Sequence, residues 1–228
     1  MTKILLWDID GTLIRNSDHK VDKHFESFKS VTGKGLDLGK NTSGMTDREI
    51  IISLFGKNEI SYSEKNLLDI YEQLNLRTKS DIENVPSKLC PNVLAILNKT
   101  SIDGWVNGLL TGNTSARARI KLDNTCIWQY LNLEFCFYGE KADNRQRLIE
   151  VALQKIKPNH NSRIFLIGDT PLDIIAAKKT NLPIVSVATG SYLLSNLKSH
   201  RPNLAIEDLV EGFNDFFKFI NNPNFELL

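Results

Sequence analysis

The chain has few residues of the kinds that staple small proteins or bind zinc. Its three cysteines (Cys90, Cys126 and Cys136) are odd in number and show no C-x-x-C spacing. Such a set argues against a disulfide framework and against a structural zinc site. The four histidines show no H-E-x-x-H or similar ligand spacing. We therefore expect free thiols in a reducing compartment.

An excess of one charge and a long apolar run are also missing. The chain has 28 Lys and Arg against 27 Asp and Glu, a formal net charge of +1. This balance argues against nucleic-acid and membrane partners, and we interpret the densest basic stretch, Arg117 to Lys121, as an exposed helix face. No run approaches the roughly 20 apolar residues of a membrane span, and the N-terminal run is too short for a signal peptide. By elimination, we expect a cytoplasmic protein.

What the chain does contain is an alternation of strands and helices. Short apolar runs end in polar or glycine-containing turns at 3–9, 105–110, 163–167 and 183–188, with a further candidate at 135–138. Runs of this kind predict buried parallel strands. Helical patterns lie between them, so the fold class expected is α/β, a doubly wound and mainly parallel sheet. Ligands of such sheets bind outside the carboxyl ends of the strands.

One stretch departs from this alternation. Between about Arg15 and Val85 we find three amphipathic helical patterns, around Phe28, Ile51 and Leu67, and no buried strand. The economical interpretation is a helical domain inserted after the first strand. The predicted division is a core of residues 1–14 and 86–228 and a helical cap of residues 15–85.

Two acids lie at the end of the first predicted strand. Asp8 and Asp10 start on the same side of the chain because side chains alternate along a strand. Carboxylates so close repel one another unless a cation intervenes, and a hard cation such as Mg²⁺ suits oxygen ligands. Gly11 permits close approach by a ligand, and Thr12 adds a hydroxyl and an amide.

Further polar groups follow the other predicted strands. Asp169 and Asp173 form a second acidic pair behind Gly168. The neutral turn from Thr111 through Gly112 and Asn113 lies at a predicted helix start, where free amides bind phosphate. Lys141 and Arg145 lie between these two motifs and can neutralise a phosphoryl group. Each feature alone has an ordinary structural explanation, but their order at one edge of one sheet indicates a shared site.

Taken in order, these motifs resemble those of the haloacid dehalogenase superfamily, and in particular its phosphatase branch. The motifs are Asp8-Ile9-Asp10-Gly11-Thr12, then Thr111-Gly112-Asn113, then a basic residue, then Gly168-Asp169-Thr170-Pro171-Leu172-Asp173. The helical insertion is similar to the cap of phosphoglycolate-phosphatase-like and β-phosphoglucomutase-like members. The resemblance covers nearly the whole chain and implies a Rossmann-like core.

The resemblance also implies roles. Asp8 would attack phosphorus and become a phospho-aspartate. Asp10 would protonate the leaving oxygen, activate the hydrolytic water and bind Mg²⁺ through its backbone carbonyl. Thr111 and the amides near it would hold a phosphoryl oxygen. Asp169 would bind Mg²⁺ directly, and Asp173 would support that site, so that the expected metal residues are Asp8, Asp10, Asp169 and Asp173.

The chain departs from the family pattern at the third motif. Members usually have a lysine there, often followed by proline, whereas this chain has Lys141 and, four residues on, Arg145. By its distance from Asp169 and from the next apolar stripe, Arg145 fits best and Lys141 second. An arginine can serve because its fork matches phosphate oxygens.

The loop before the second cap helix is a further candidate for substrate contact. Gly44 permits a tight turn, and Thr46 with Glu49 predicts a capping box. The loop could be no more than a helix cap. Related caps carry a similar Gly-x-Thr-Asp stretch that faces the core, and this implies that Asp47 or Arg48 contacts the substrate beyond its phosphate.

The function expected is a magnesium-dependent phosphatase for a small phosphorylated metabolite of the phosphoglycolate, sugar phosphate or nucleotide type. A phosphomutase of the same superfamily and a catalytically idle binding protein on this fold are the alternatives. Neither the substrate nor the oligomeric state follows from the sequence.

Overall fold

The computed structural model describes residues 2–15 and 22–222. Within these residues one sheet has six parallel strands in the order β3-β2-β1-β4-β5-β6. The strands are β1 Lys3–Trp7, β2 Val106–Thr111, β3 Leu131–Tyr138, β4 Arg163–Gly168, β5 Ile184–Val187 and β6 Leu204–Ile206. The predicted α/β class with a parallel sheet is confirmed. The three-residue strand β6 was not predicted, because so short a segment shows no alternation.

The sheet is buried on both faces, as β1 illustrates. Leu5 and Trp7 belong to one apolar cluster, and Ile4 and Leu6 belong to another on the opposite face. This follows from the two-residue period of side chains along a strand. A strand with both faces covered needs apolar residues throughout, which is why β1 is a continuous apolar run.

Three helices occupy the predicted insertion: α1 Lys23–Thr32, α2 Asp47–Lys57 and α3 Glu64–Asn84. Each begins at a side-chain cap, in turn Asp22, Thr46 and Ser63. They enclose an apolar cluster of their own, which consists of Phe28, Ile50, Ile51, Leu54, Phe55, Leu67 and Ile70. The three helical patterns read from the sequence therefore correspond to three helices. The predicted domain ranges also take in residues 1, 16–21 and 223–228, which lie outside the described residues.

The remaining helices cover the sheet. Residues of α4 Val93–Ile102, α5 Ser115–Leu122 and α9 Phe213–Ile220 pack on the face of Leu5 and Trp7. Residues of α6 Arg145–Ile156, α7 Pro171–Lys179 and α8 Leu194–Ser199 pack on the other face. Across the described part of the chain, no helix combines the length and the apolar character that a membrane crossing needs.

Candidate active site

The strand order places the sequence motifs side by side. β1 lies between β2 and β4, so Asp8 after β1 stands between the end of β2 at Thr111 and Asp169 after β4. In a sheet of order 3-2-1-4-5-6, connections leave in opposite directions on the two sides of β1, and the crevice at that point is where ligands bind. Motifs more than 150 residues apart in sequence thus share one edge of the sheet.

Three acids form a buried cluster at this edge. Asp8, Asp169 and Asp173 each offer a carboxylate oxygen, and these atoms lie within 4.8 Å of one another. Nη2 of Arg145, also buried, lies 3.1 Å from Asp8 Oδ1 and 2.6 Å from Asp173 Oδ1. The guanidinium thus contacts two of the three acids, and with all three ionised the cluster would hold two more negative than positive charges.

Local structure fixes two of these side chains. Thr170 caps α7, and its backbone N–H and hydroxyl donate to Asp173 Oδ2 at 3.1 and 2.7 Å, completing a capping box. The N-cap of α6 is Asn144, which places Arg145 in the first turn of that helix. Capped helix starts are well-defined positions, so both groups point to Asp8 with little freedom.

The electrostatics of the cluster favour a bound cation. Burial raises the pKa of Asp8 from 3.8 to about 6, and Arg145 only partly offsets the rise. Burial, with repulsion from Asp8 and Asp173, raises the pKa of Asp169 well above its usual value. A hard divalent cation among these oxygens would reverse both shifts and stabilise the ionised carboxylates.

Asp10 has different partners. Both of its carboxylate oxygens accept from Nζ of Lys121, at 2.7 and 2.6 Å, and Oδ2 also accepts from Nδ2 of Asn113 at 2.8 Å. Although burial opposes it, Lys121 and then Arg117 hold the pKa of Asp10 below its usual value. Its carboxylate is therefore turned towards α5, and it is not part of the three-acid cluster.

The turn after β2 joins the motifs. Thr111 is buried, and its Oγ1 accepts from the backbone N–H and the side-chain amide of Asn113 at 3.3 and 2.9 Å. Thr114 caps α5 by accepting from the backbone N–H of Arg117. The turn thus leads directly into a helix start, as the sequence predicted.

The inserted helices are docked on this turn through a buried ion pair. Nη1 of Arg117 lies 2.5 Å from Asp47 Oδ1, which also lies 2.8 Å from His24 Nε2. Asp47 Oδ2 accepts from the backbone N–H of Thr114 at 2.8 Å, and the backbone N–H of Asp47 donates to the carbonyl of Gly112 at 2.7 Å. The start of α2 therefore lies against the phosphate-binding turn predicted from the sequence.

A cavity of about 490 Å³ lies between the inserted helices and the carboxyl edge of the sheet. Of the predicted site residues, its walls include Asp8, Asp10, Asp47, Gly112, Asn113, Arg145 and Asp169. Others stand behind the walls: Thr12 is buried and donates to Asp169 at 3.4 Å, while Gly11 packs against Asp169 so closely that a Cβ there would lie 2.2 Å from its carboxylate.

Two predicted residues lie away from the cavity walls. Lys141 is exposed, in a short 3₁₀ turn. Arg48 donates through Nε to Asp143 at 2.6 Å, on the outer side of the joint between cap and core. Neither side chain is among the residues that line the cavity.

The interpretation of Arg117 to Lys121 as an exposed helix face is wrong. Arg117 and Lys121 are 9 % and 7 % exposed and line the cavity, whereas Arg119 between them is exposed. The signal was available: the two cations stand four residues apart, on one face of a helix that begins at the turn predicted to bind phosphate. No sequence pattern identified the acids that pair with them.

Comparison with known proteins agrees with this geometry. Residues 5–187 match the family model of the haloacid dehalogenase-like hydrolases. The chain belongs to this family. The predicted membership is confirmed, and with it the assignment as an enzyme of the phosphoric monoester hydrolase type.

Individual relatives are distant but cover the chain well. A candidate pyrophosphatase, PpaX, from Clostridium perfringens is 25% identical over 94% of this chain and 100% of its own length. A phosphoglycolate phosphatase from Agrobacterium fabrum is 23% identical over 92% of this chain and 90% of its own length. The crystal structure of a β-phosphoglucomutase from Clostridium difficile superposes with a TM-score of 0.71, at 19% identity, over 97% of this chain and 98% of the other. At that identity the superposition shows a shared fold.

Proposed function

We propose that this protein is a magnesium-dependent phosphatase that hydrolyses a small phosphomonoester through a phospho-aspartate on Asp8. The observation that carries the proposal is the buried cluster of Asp8, Asp169 and Asp173 with the single guanidinium of Arg145. Burying ionised carboxylates without compensating charge costs free energy of folding. Such clusters are therefore expected where a bound cation offsets the cost or where catalysis uses the acids.

The residues present fit Mg²⁺. Their donors are hard carboxylate oxygens, and two negative charges remain after Arg145 is counted. Asp8 and Asp169 would hold the ion, Asp173 would support it, and Asp10 would contribute its backbone carbonyl, because its carboxylate faces Lys121. When bound, Mg²⁺ would offset charge on the transferring phosphoryl group.

The proposed chemistry has two steps. In the first, a carboxylate oxygen of Asp8 attacks phosphorus, the bond to the leaving oxygen breaks, and Asp10, which has to be protonated in the substrate complex, gives that oxygen its proton. In the second, Asp10 takes a proton from water, the resulting hydroxide attacks phosphorus, and the bond to Asp8 breaks. The products are an alcohol and inorganic phosphate, and the cycle leaves Asp8 as the carboxylate and Asp10 as the protonated acid, as at the start.

Other residues would hold the phosphoryl oxygens. The Nε of Arg145 is buried and has no hydrogen-bond partner among the described residues, although its Nη2 contacts two acids. A phosphoryl oxygen is a suitable acceptor for such a donor. Gly112 and Asn113 line the cavity at the start of α5, where Thr111 supports the turn, and backbone amides at helix starts bind phosphate. Thr12 and Gly11 would position Asp169 from behind.

The cavity suits a metabolite rather than a polymer. Its volume of about 490 Å³ lies between the core and the helices of residues 15–85, which we propose act as the cap. That volume is typical of small-molecule sites. The names of the two relatives, a pyrophosphatase and a phosphoglycolate phosphatase, specify small phosphorylated substrates. A cytoplasmic location without nucleic-acid or membrane partners remains our prediction.

The test is to trap the phosphorylated enzyme. Wild-type protein and Asp8→Asn are incubated with Mg²⁺ and ³²P-labelled acetyl phosphate and quenched with acid. We expect a hydroxylamine-labile label on the wild type and none on Asp8→Asn, with turnover of the variant reduced at least about a thousandfold because no other nucleophile is available. Asp123→Asn, which changes an exposed acid after α5, is the matched control. An equal label on wild type and Asp8→Asn would contradict the mechanism.

A further inference from the structure

Lys121 is a buried cation of the candidate site, and the proposed mechanism gives it no role. It lies in the last turn of α5, and its side chain is 9% exposed. The three protons of its ammonium group meet three acceptors within 2.7 Å: Oδ1 and Oδ2 of Asp10 and Oδ1 of Asn113. The donors of Lys121 are thus fully used.

Asn113 closes this arrangement into a ring. Its Oδ1 accepts from Lys121, while its Nδ2 donates to Asp10 Oδ2 at 2.8 Å and to Thr111 Oγ1 at 2.9 Å. Each carboxylate oxygen of Asp10 therefore has at least one fixed donor. Charge-assisted bonds of this kind are shorter and stronger than neutral ones, so the ring holds the carboxylate in one orientation.

The orientation matters because Asp10 stands where proton transfer is proposed. Its side chain remains 40% exposed and lines the cavity, although Lys121 and Asn113 grip it from the side of α5. An acid or base is effective only within hydrogen-bond reach of the atom it serves, and small misplacements are costly.

We propose that Lys121 is a positioning residue that holds the carboxylate of Asp10 at the leaving-group side of the cavity. This inference rests on the proposed phosphatase function. A direct grip of Lys121 on substrate is the less economical role, since its three donors would first have to leave Asp10 and Asn113. Arg117, the other buried cation on this face of α5, is already paired with Asp47.

The test compares two esters in Lys121→Met, Lys121→Arg and, as the control on the same helix, Arg119→Met. The value of kcat/KM covers the steps up to phosphoryl transfer, in which an alkyl leaving group needs a proton and p-nitrophenolate does not. Lys121→Met should lower kcat/KM about 100-fold for an alkyl ester such as 2-phosphoglycolate and less than about fivefold for p-nitrophenyl phosphate. Lys121→Arg should recover part of the loss, and Arg119→Met should behave as wild type.

A double-mutant cycle separates action through Asp10 from a general effect. If Lys121 acts by placing Asp10, then Lys121→Met should change the kcat for p-nitrophenyl phosphate less than about twofold in an Asp10→Asn background. Equal losses for both esters in folded Lys121→Met protein, additive effects in the cycle, or unchanged kinetics would each overturn the inference. If the wild type released phosphate from neither ester, the phosphatase proposal itself would be overturned, and the role of Lys121 with it.

Discussion

Two sets of buried acids meet at the same cavity and have opposite surroundings. Asp47 in the cap is matched by cations and donors: Arg117 and His24 contact one oxygen, and the backbone N–H of Thr114 donates to the other. In the core, Asp8 and Asp173 share the guanidinium of Arg145, and Asp169 lies beside them without an ion pair to it. The same side-chain chemistry is therefore compensated in one region and left short of positive charge in the other.

The pKa values follow the surroundings. Although burial opposes it, Arg117 and His24 hold the pKa of Asp47 well below its usual range. In the core, burial and like charges raise the pKa of Asp8 and Asp169. The compensated acid Asp47 has a structural role, since it joins the start of α2 to α5. An uncompensated acid is neutral when it is protonated, and it is a candidate site for a ligand that supplies positive charge.

The largest effect is expected where the core cluster loses its cation. Arg145→Ala should lower turnover of p-nitrophenyl phosphate about 100-fold or more, because a donor to the transferring phosphoryl group is lost. Lys141→Ala, which changes an exposed lysine of the same segment, should have little effect. Steady-state kinetics at saturating Mg²⁺ decide the order. A greater loss in Lys141→Ala would make Lys141 the third-motif residue.

The next effect concerns stability in the compensated region. Asp47→Ala should lower the free energy of unfolding by about 3–5 kcal/mol, because Arg117 would be left buried without its carboxylate. Asp169→Asn, measured without metal, should be neutral or stabilising, because it removes a repulsion. Urea unfolding of both variants in EDTA checks the contrast. The comparison fails if the two changes are equally destabilising.

The pH dependence should have opposite signs in the two regions. The folded state holds a proton on Asp8 up to about pH 6, whereas the unfolded chain releases it near 3.8. In EDTA, Asp8 should therefore reduce stability by roughly 1–3 kcal/mol as pH rises from about 4 to about 6.5. Asp47, with its lowered pKa, contributes stability that is present above about pH 4 and is lost as pH falls.

Urea unfolding across this range, in EDTA and in excess Mg²⁺, measures both contributions. In EDTA, Asp8→Asn should no longer lose stability as pH rises through this range. Excess Mg²⁺ should abolish the same loss in the wild type, because a bound cation keeps the carboxylate ionised. Persistence of the same fall in Asp8→Asn would show that other groups cause it.

The smallest effect is expected at the outer edge of the joint. Arg48 pairs with Asp143, whose side chain is 70% exposed, so Arg48→Ala should cost less than about 1 kcal/mol. Because Arg48 does not line the cavity, relative activities on a panel of phosphomonoesters should stay unchanged. A changed order of relative activities would instead support the substrate contact predicted for Arg48 from the sequence.

Most of the site's parts could be read from the sequence, but not its pairings. Asp8, Asp10, Asp169 and Asp173 stand out because acids directly after apolar runs are conspicuous. The partners of Asp10 and Asp47 do not stand out in this way, because in the sequence Lys121 and Arg117 look like ordinary cations of a helix surface. Their burial depends on where α5 lies beneath the cap, which no local pattern records.

The sequence by itself determined the alternation of strands and helices, the helical insertion and the identity of the acids at the strand ends, because side-chain period and turn chemistry are local properties. Only the tertiary structure decided which acids are compensated. That outcome depends on strand order, which brings Asp8 between Thr111 and Asp169, and on the docking of the inserted helices at α5, which pairs Asp47 with Arg117. Charge compensation acts over a few ångströms in space, and residues 70 positions apart in the chain reach that distance only once the domains have packed.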